Sequence, residues 1–232
     1  TLLNWLKALP QPLIDARPML NLIYAEAALV AGDFAPIETA LHAVEAALRN
    51  GDVPADEPDA IQSQVTAVRA YMATFSGDIH QGVVLARQAF AAIPQGNAFL
   101  RSIITWLLGL SQFFDTDTEA ARRVFDETLE LSQATGNTLI ASLSLFVSGY
   151  FSILQGQLRQ AQVIFEHGLT MLTGDQHTPL PVSASLLYQG LAEVLRETND
   201  LEAAAWTIAE CVALGEQWGN AEVLVDSYVI LT

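Results

Sequence analysis

Lysine is almost absent from this chain: Lys7 is the only one, and 10 basic residues face 26 acidic ones for a formal net charge of −16. The basic residues are also dispersed, with Arg122-Arg123 the single adjacent pair. Affinity for a duplex comes largely from clustered Lys and Arg neutralising phosphates, so no nucleic-acid binding is expected through this segment. Such an acidic surface suits a cationic or neutral ligand, or simply solubility. Cysteine is equally scarce. Cys211 alone excludes an intrachain disulfide and a Cys-rich metal site, which is compatible with a reducing cytoplasm.

Other absences narrow the function further. No G-x-x-x-x-G-K-[ST] phosphate loop occurs, so no nucleotide cradle and no other cofactor is expected in this segment. His42, His80, His167 and His177 never form a His-x-x-x-His or Glu-x-x-His pair, which leaves a metal site unsupported. Asp126, Glu127 and Glu130 fit a solvated helix face, and no nucleophile–base pair stands beside them, so the chain is read as not an enzyme. Val, Ile and Thr are not gathered into alternating runs, and no strand is expected. Residues 1–10 lack the basic start and long apolar stretch of a secretory signal. The charge-free stretch Leu131–Leu158 has its most apolar part at Leu139–Leu154, short for a membrane span of about 20 residues, and is read as a buried central helix. With no membrane segment and no secretory signal, a cytoplasmic location is expected.

What the sequence does contain is a repeat. Five short turns, Gly32-Asp33, Gly77-Asp78, Thr116-Asp117, Gly156-Gln157 and Asn199-Asp200, are each followed by an amphipathic run. Their second residues are 45, 39, 40 and 43 positions apart. Helix-stop chemistry falls between them at Asn50-Gly51, Gly96-Asn97, Gly136-Asn137, Gly174-Asp175 and Gly219-Asn220, where Gly or Asn can take the left-handed conformation. Asp33, Asp78, Thr116 or Asp117, and Asp200 are placed as N-caps. The pattern predicts helices near 2–9, 18–31, 36–49, 58–76, 80–93, 98–113, 117–135, 138–155, 158–173, 180–198, 201–218 and 221–231. Each helical pair in such an array buries its apolar face against the next, so residues 1–232 are expected to form a single repeat domain. Both ends fall inside apolar-periodic helices, which reads as a piece of a longer protein.

Small residues recur in the first helix of each pair at Ala25, Ala70, Gly109, Gly149 and Ala192. They open the second helix at Gly82, Ala121, Ala161 and Ala204, with Ile37 departing. Four positions on stand Leu41, Phe125, Phe165 and Ile208, with Ala86 departing. Small residues let paired helices approach and the large ones fill the groove so formed. The pattern resembles the tetratricopeptide consensus with a longer repeat, about 40 residues in place of roughly 34. The fold this implies is all-α, a right-handed α-solenoid of tetratricopeptide-like helix pairs.

A narrower likeness is carried by Asn4-Trp5-Leu6-Lys7-Ala8-Leu9-Pro10, Leu13, Ala16-Arg17-Pro18 and Leu20. Later segments agree: Val68-Arg69-Ala70-Tyr71, Ala120-Ala121-Arg122-Arg123-Val124-Phe125 and Asn199-Asp200-Leu201-Glu202-Ala203-Ala204. These resemble the helical-repeat region of the large ATP-dependent LuxR-family regulators of MalT-like type. That resemblance implies an effector-sensing and protein-interaction segment, set between an ATPase module and a helix-turn-helix that both lie outside residues 1–232. It also implies a small-molecule or protein effector and self-association as its partners, with no membrane. The competing reading is a general peptide-docking scaffold of tetratricopeptide type. The basic carboxylate clamp of the chaperone-binding scaffolds is missing, since Lys7 stands alone.

In tetratricopeptide arrays the first helices line a concave groove. The resemblance carries that role onto Met19, Leu22 and Glu26 in the first repeat, Tyr71 and Phe75 in the second, and Trp106, Leu110 and Phe113 in the third. It continues onto Phe146 and Tyr150, then Gln189, Glu193 and Arg196. The effector or partner is expected on Tyr71, Trp106, Phe113, Phe146, Tyr150, Gln189, Glu193 and Arg196. Helix packing is the alternative for Trp106, Phe113 and Phe146, and a surface ion pair with Glu197 is the alternative for Glu193 and Arg196. Arg69 is read as packing its stem while its guanidinium finds a carboxylate, and Cys211 as a small buried residue in line with Ala89 and Gly168.

Overall fold

The computed structural model describes the chain except residues 1, 11–12, 15–16, 31–32, 54–57, 94–97, 115–117, 174–178, 220 and 231–232, and the side chains at 30, 111, 113–114, 118 and 221–222. Among the described residues there are twelve α-helices and no strand. The chain divides into two compact units, residues 1–115 and 116–232. The first unit holds α1 (Leu2–Lys7), α2 (Pro18–Val30), α3 (Ile37–Asn50), α4 (Pro58–Phe75), α5 (Ile79–Ala92) and α6 (Ala98–Phe114). The second holds α7 (Thr118–Thr135), α8 (Thr138–Leu154), α9 (Leu158–Thr173), α10 (Ser185–Glu197), α11 (Leu201–Trp218) and α12 (Ala221–Ile230). Helices adjacent in sequence pack together within each unit, as α2 on α3, α4 on α5, α8 on α9 and α10 on α11. The fold is all-α, built of tetratricopeptide-like helix pairs.

Helix starts and stops follow the turn chemistry. Asp78 accepts from the Gln81 amide at 3.0 Å, Asp200 from Ala203 at 3.3 Å and Asn137 from Ile140 at 3.3 Å. Each such cap satisfies an otherwise orphaned amide and contributes about 1 kcal/mol. Gly51 and Gly219 end α3 and α11 in the left-handed region, and Asn199 takes the same conformation at φ 63° in the turn before α11. Gly32, Thr116-Asp117, Gly96-Asn97, Gly174-Asp175 and Asn220 lie outside the described residues.

Two expectations need correction. Asp33 does not cap α3; it accepts a charged hydrogen bond from Lys7 Nζ at 2.7 Å, and Pro36 opens the helix with no side-chain cap bond. Proline needs no amide partner there and its φ is already near-helical. The helix expected from residue 180 begins instead as a short 3-10 turn, Val182–Ala184, that runs into α10 at Ser185. Pro181 is extended at ψ 146° and disfavours helical backbone at the residue before it.

The small-residue pattern is the packing pattern. Ala25, Ala70, Ala121, Ala161 and Ala192 are fully buried, and Leu41, Phe125, Phe165 and Ile208 fill the gaps they leave. The departures, Ile37 and Ala86, are fully buried as well. Phe165 anchors the core of the second unit with Leu145, Leu187, Leu191 and Val194 around it. α8 is buried along most of its length. Two of its hydroxyls are absorbed locally: Ser142 donates to the Thr138 carbonyl at 2.8 Å and lies 3.0 Å from the Ser183 hydroxyl, and Ser152 donates to the Ser148 carbonyl at 3.2 Å, whereas the buried Ser144 hydroxyl has no hydrogen-bond partner among the described residues. Among the described residues no helix is long and apolar enough to cross a membrane.

Candidate functional site

In the second unit, α8, α10 and α12 lie side by side, with α8 against α10 and α10 against α12. One residue in every three or four along each points to the same side, since 3.6 residues make a turn. Phe146 and Tyr150 on α8, Gln189, Glu193 and Arg196 on α10, and Asp226, Val229 and Ile230 on α12 together line a cleft of about 440 Å³. That volume falls in the range of small-molecule sites, and the lining combines an apolar floor with a few polar groups.

The walls are held from behind. The Phe146 and Tyr150 rings stack at 6.2 Å with 17° between their planes, and Phe146 also leans on the buried Phe165 ring at 6.5 Å. Phe165 itself sits where two glycines leave room: a Cβ at Gly149 or at Gly190 would stand 2.3 Å from its ring. Tyr150 and Gln189 are therefore chain neighbours of the two glycines at which α8 and α10 close on Phe165 of α9.

The polar groups are coupled. Gln189 is buried and donates from Nε2 to Asp226 Oδ2 at 3.1 Å, tying α10 to α12. Arg196 is exposed and donates to Glu197 Oε1 at 2.8 Å. Burial pushes the Glu193 carboxyl up; Arg196 pulls it back down, while the negative charges of Glu197 and Asp226 push it further up.

In the first unit the expected groove residues meet differently. Tyr71 and Phe75 stack at 4.3 Å, and the Trp106 ring stacks on Phe75 at 5.9 Å. Only 5% of Tyr71 and 3% of Trp106 is exposed. Of the two readings open for Trp106, this burial supports packing. The side chain of Phe113 lies outside the described residues. Glu26 lines a narrow apolar crevice with Leu29, Val68, Phe99, Leu100 and Ile103, and burial there pushes its carboxyl up to about 7.

Arg69 and Cys211 occupy structural positions. The Arg69 guanidinium bridges Glu38 and Glu45, as expected for a packed stem with a charged tip. Cys211 is fully buried, within 3.1 Å of the Ser185 carbonyl oxygen and 3.2 Å of the Ser227 hydroxyl, and burial raises its thiol above the ordinary range. No cluster of three or more His, Cys, Asp or Glu able to hold a metal occurs among the described residues.

Sequence reasoning missed Asp226, Val229 and Ile230. The small-residue pattern that sets the register of the other first helices, at Ala25, Ala70, Gly109, Gly149 and Ala192, assigns no position in α12. The remaining signal was the helical spacing of Asp226, Val229 and Ile230 themselves, which places them on one face.

Comparison with known proteins agrees with this architecture. The model of the MalT-like TPR region matches residues 63–232. The "HTH-type transcriptional regulator MalT" of Yersinia pestis (strain Pestoides F) is 24% identical over 182 residues, covering 78% of this chain and 20% of that protein. The protein of the same name in Yersinia enterocolitica (serotype O:8 / biotype 1B) matches with the same 24% identity and the same coverage, 78% and 20%. The chain thus spans about 20% of the length of these curated relatives. Among solved structures, BtubC from P. vanneervenii superposes with a TM-score of 0.58 at 15% identity, covering 90% of this chain and 84% of that one, a likeness of fold alone.

Proposed function

We propose a role on the premise of family: the chain belongs to the MalT-like TPR regions, and its second unit serves as the effector-sensing surface of a longer cytoplasmic transcription regulator. The observation that carries this reading is the cleft of about 440 Å³ lined from three helices of the same layer. Helices that pack against one another through small residues shift together, so a ligand spanning α8, α10 and α12 biases their relative placement. Phe146, Tyr150, Gln189, Glu193 and Arg196 are the contact residues of this proposal. Tyr71 and Trp106 are given a packing role. The segment acts by binding, without catalysis of its own, and leaves DNA contact to regions of the parent protein outside residues 1–232. Self-association is part of the same proposal.

The test is a transcription reporter driven by the parent regulator. Tyr150 is 38% exposed, so Tyr150→Ala is expected to leave folding intact while abolishing the effector response. A variant with normal thermal unfolding and full response removes the cleft as effector site. A variant that responds normally but loses a protein partner favours the docking-scaffold reading instead.

A further inference from the structure

Three charged side chains reach the cleft, and their partners differ. The Arg196 guanidinium is engaged by Glu197 at 2.8 Å. Among the described residues, Asp226 receives the neutral amide of Gln189 and no charged donor. Glu193, half-buried one turn along from Gln189, has Asp226 and Glu197 as like-charged neighbours and Arg196 as its opposing one. Two carboxylates on different helices therefore border one open space, in which the one basic side chain among the described lining residues is already engaged by a third carboxylate. The same space has a stacked aromatic pair on its α8 wall and Val229 and Ile230 on its α12 wall.

Resting on the effector reading above, we propose that this cleft takes an organic cation with a flat apolar portion. Its ammonium or guanidinium group sits between Glu193 and Asp226, and its apolar body lies along Phe146 and Tyr150. Two physical effects select that class. A cation entering between two carboxylates replaces their mutual repulsion with two attractions in a partly desolvated site, where charges are screened less than in bulk water. The aromatic faces then favour the positive end as well as the apolar body, because a ring quadrupole attracts cations and repels anions. An anionic ligand meets the opposite conditions: among the described lining residues Arg196 is its one charged attraction, and Glu197 already engages that group. The burial-raised carboxyl of Glu193 agrees with a site awaiting a positive partner.

The experiment titrates the intact chain with three probes of one shape, 2-phenylethylammonium, 2-phenylethanol and 3-phenylpropionate, by calorimetry at neutral pH and low salt. The ammonium is expected to bind about tenfold or more tightly than the alcohol, and the carboxylate more weakly still. Glu193→Gln and Asp226→Asn each bring ammonium binding close to that of the alcohol, and raised salt weakens it in the wild type. Tyr150→Ala weakens the ammonium and the alcohol together. Equal binding of ammonium and alcohol, or ammonium binding untouched by both carboxylate substitutions, overturns the cation class. Binding of none of the three overturns it too. The effector reading is judged separately by the Tyr150→Ala reporter response, which does not depend on ligand charge.

Discussion

Replacing Gly190 by alanine sets two opposed effects against each other. Gly190 lies inside α10, where alanine is favoured over glycine by about 1 kcal/mol on intrinsic helix propensity. The new Cβ would stand 2.3, 2.6 and 2.8 Å from Cζ, Cε1 and Cε2 of Phe165. Carbon atoms rest about 3.5–4.0 Å apart, so the overlap exceeds roughly 1 Å. The ring has nowhere to withdraw, since the Cβ position of Gly149 on α8 also lies 2.3 Å from it. Overpacking of this kind costs about 1–3 kcal/mol, and a rigid ring held between two backbones belongs at the upper end. The net expectation for Gly190→Ala is a loss of about 1–2 kcal/mol, read as a fall in melting temperature of about 2–8 °C for a chain of this size.

Urea denaturation followed by far-ultraviolet circular dichroism measures the difference directly. Gly215→Ala is the control: a Cβ there meets Leu224 Cδ2, the end of a flexible side chain, at 3.1 Å and Val223 Cγ1 at 3.3 Å, contacts that a few tenths of an ångström relieve. It is expected to be neutral or slightly stabilising. In a Phe165→Leu background the cost of Gly190→Ala should shrink by about 1 kcal/mol or more, because the atoms it strikes are gone. A Gly190→Ala midpoint equal to or above the wild type refutes the account of α8 and α10 closing on Phe165.

Trp106→Ala, which removes a buried ring from the stack with Phe75 and Tyr71, should cost about 3–5 kcal/mol of stability; an unchanged melting temperature would return Trp106 to the groove. Glu26 holds its proton more tightly folded than unfolded, so its contribution is fully present below about pH 4.5 and is lost as pH rises through about 7. Relative to Glu26→Gln, the wild type should lose up to about 3 kcal/mol across that window, and parallel stability-versus-pH curves would show that the crevice does not desolvate Glu26. Arg69→Met should cost about 1 kcal/mol by leaving the half-buried Glu45 carboxylate unmatched, and Glu45→Gln in the same chain should recover most of it; an additive double variant would rule out the pairing.

Helix boundaries were legible wherever the chemistry of an end is local. The spans expected at 158–173 and 201–218 are those observed for α9 and α11; for α11 the reason is that Asp200 with its cap bond and Gly219 with its left-handed backbone are decided within a few residues. Local signals misled at Asp33, where a charged partner 26 residues away competes for the carboxylate that would otherwise cap. They misled again at residue 180, where Pro181 outweighed the apolar periodicity. The cleft was legible as far as α8 and α10. Its α12 wall was not, because no residue of 221–231 carries the small-residue pattern that sets the register of the other first helices.

The aromatic positions of the two units carry the same pattern of sequence and have different surroundings, and the difference lies in what shares the helical face. In the first unit three of the expected groove positions, Tyr71, Phe75 and Trp106, are rings that can satisfy one another by stacking; they close together, and Tyr71 and Trp106 leave the surface. In the second unit Phe146 and Tyr150 face Gln189 and Glu193 across the helix pair. An amide and a carboxylate cannot be sealed under rings without partners, because burying them unsatisfied costs more than the apolar contact returns. Gln189 meets the requirement with Asp226, but Glu193 keeps part of its carboxyl toward water. That residual hydration holds the space between α8 and α12 open. A substitution that removes the need for it, Glu193→Leu, is therefore expected to raise thermal stability while narrowing the cleft. A Glu193→Leu chain that melts lower than the wild type would mean that the carboxylate is held by attractions stronger than its desolvation, and the cleft would owe its opening to helix geometry alone.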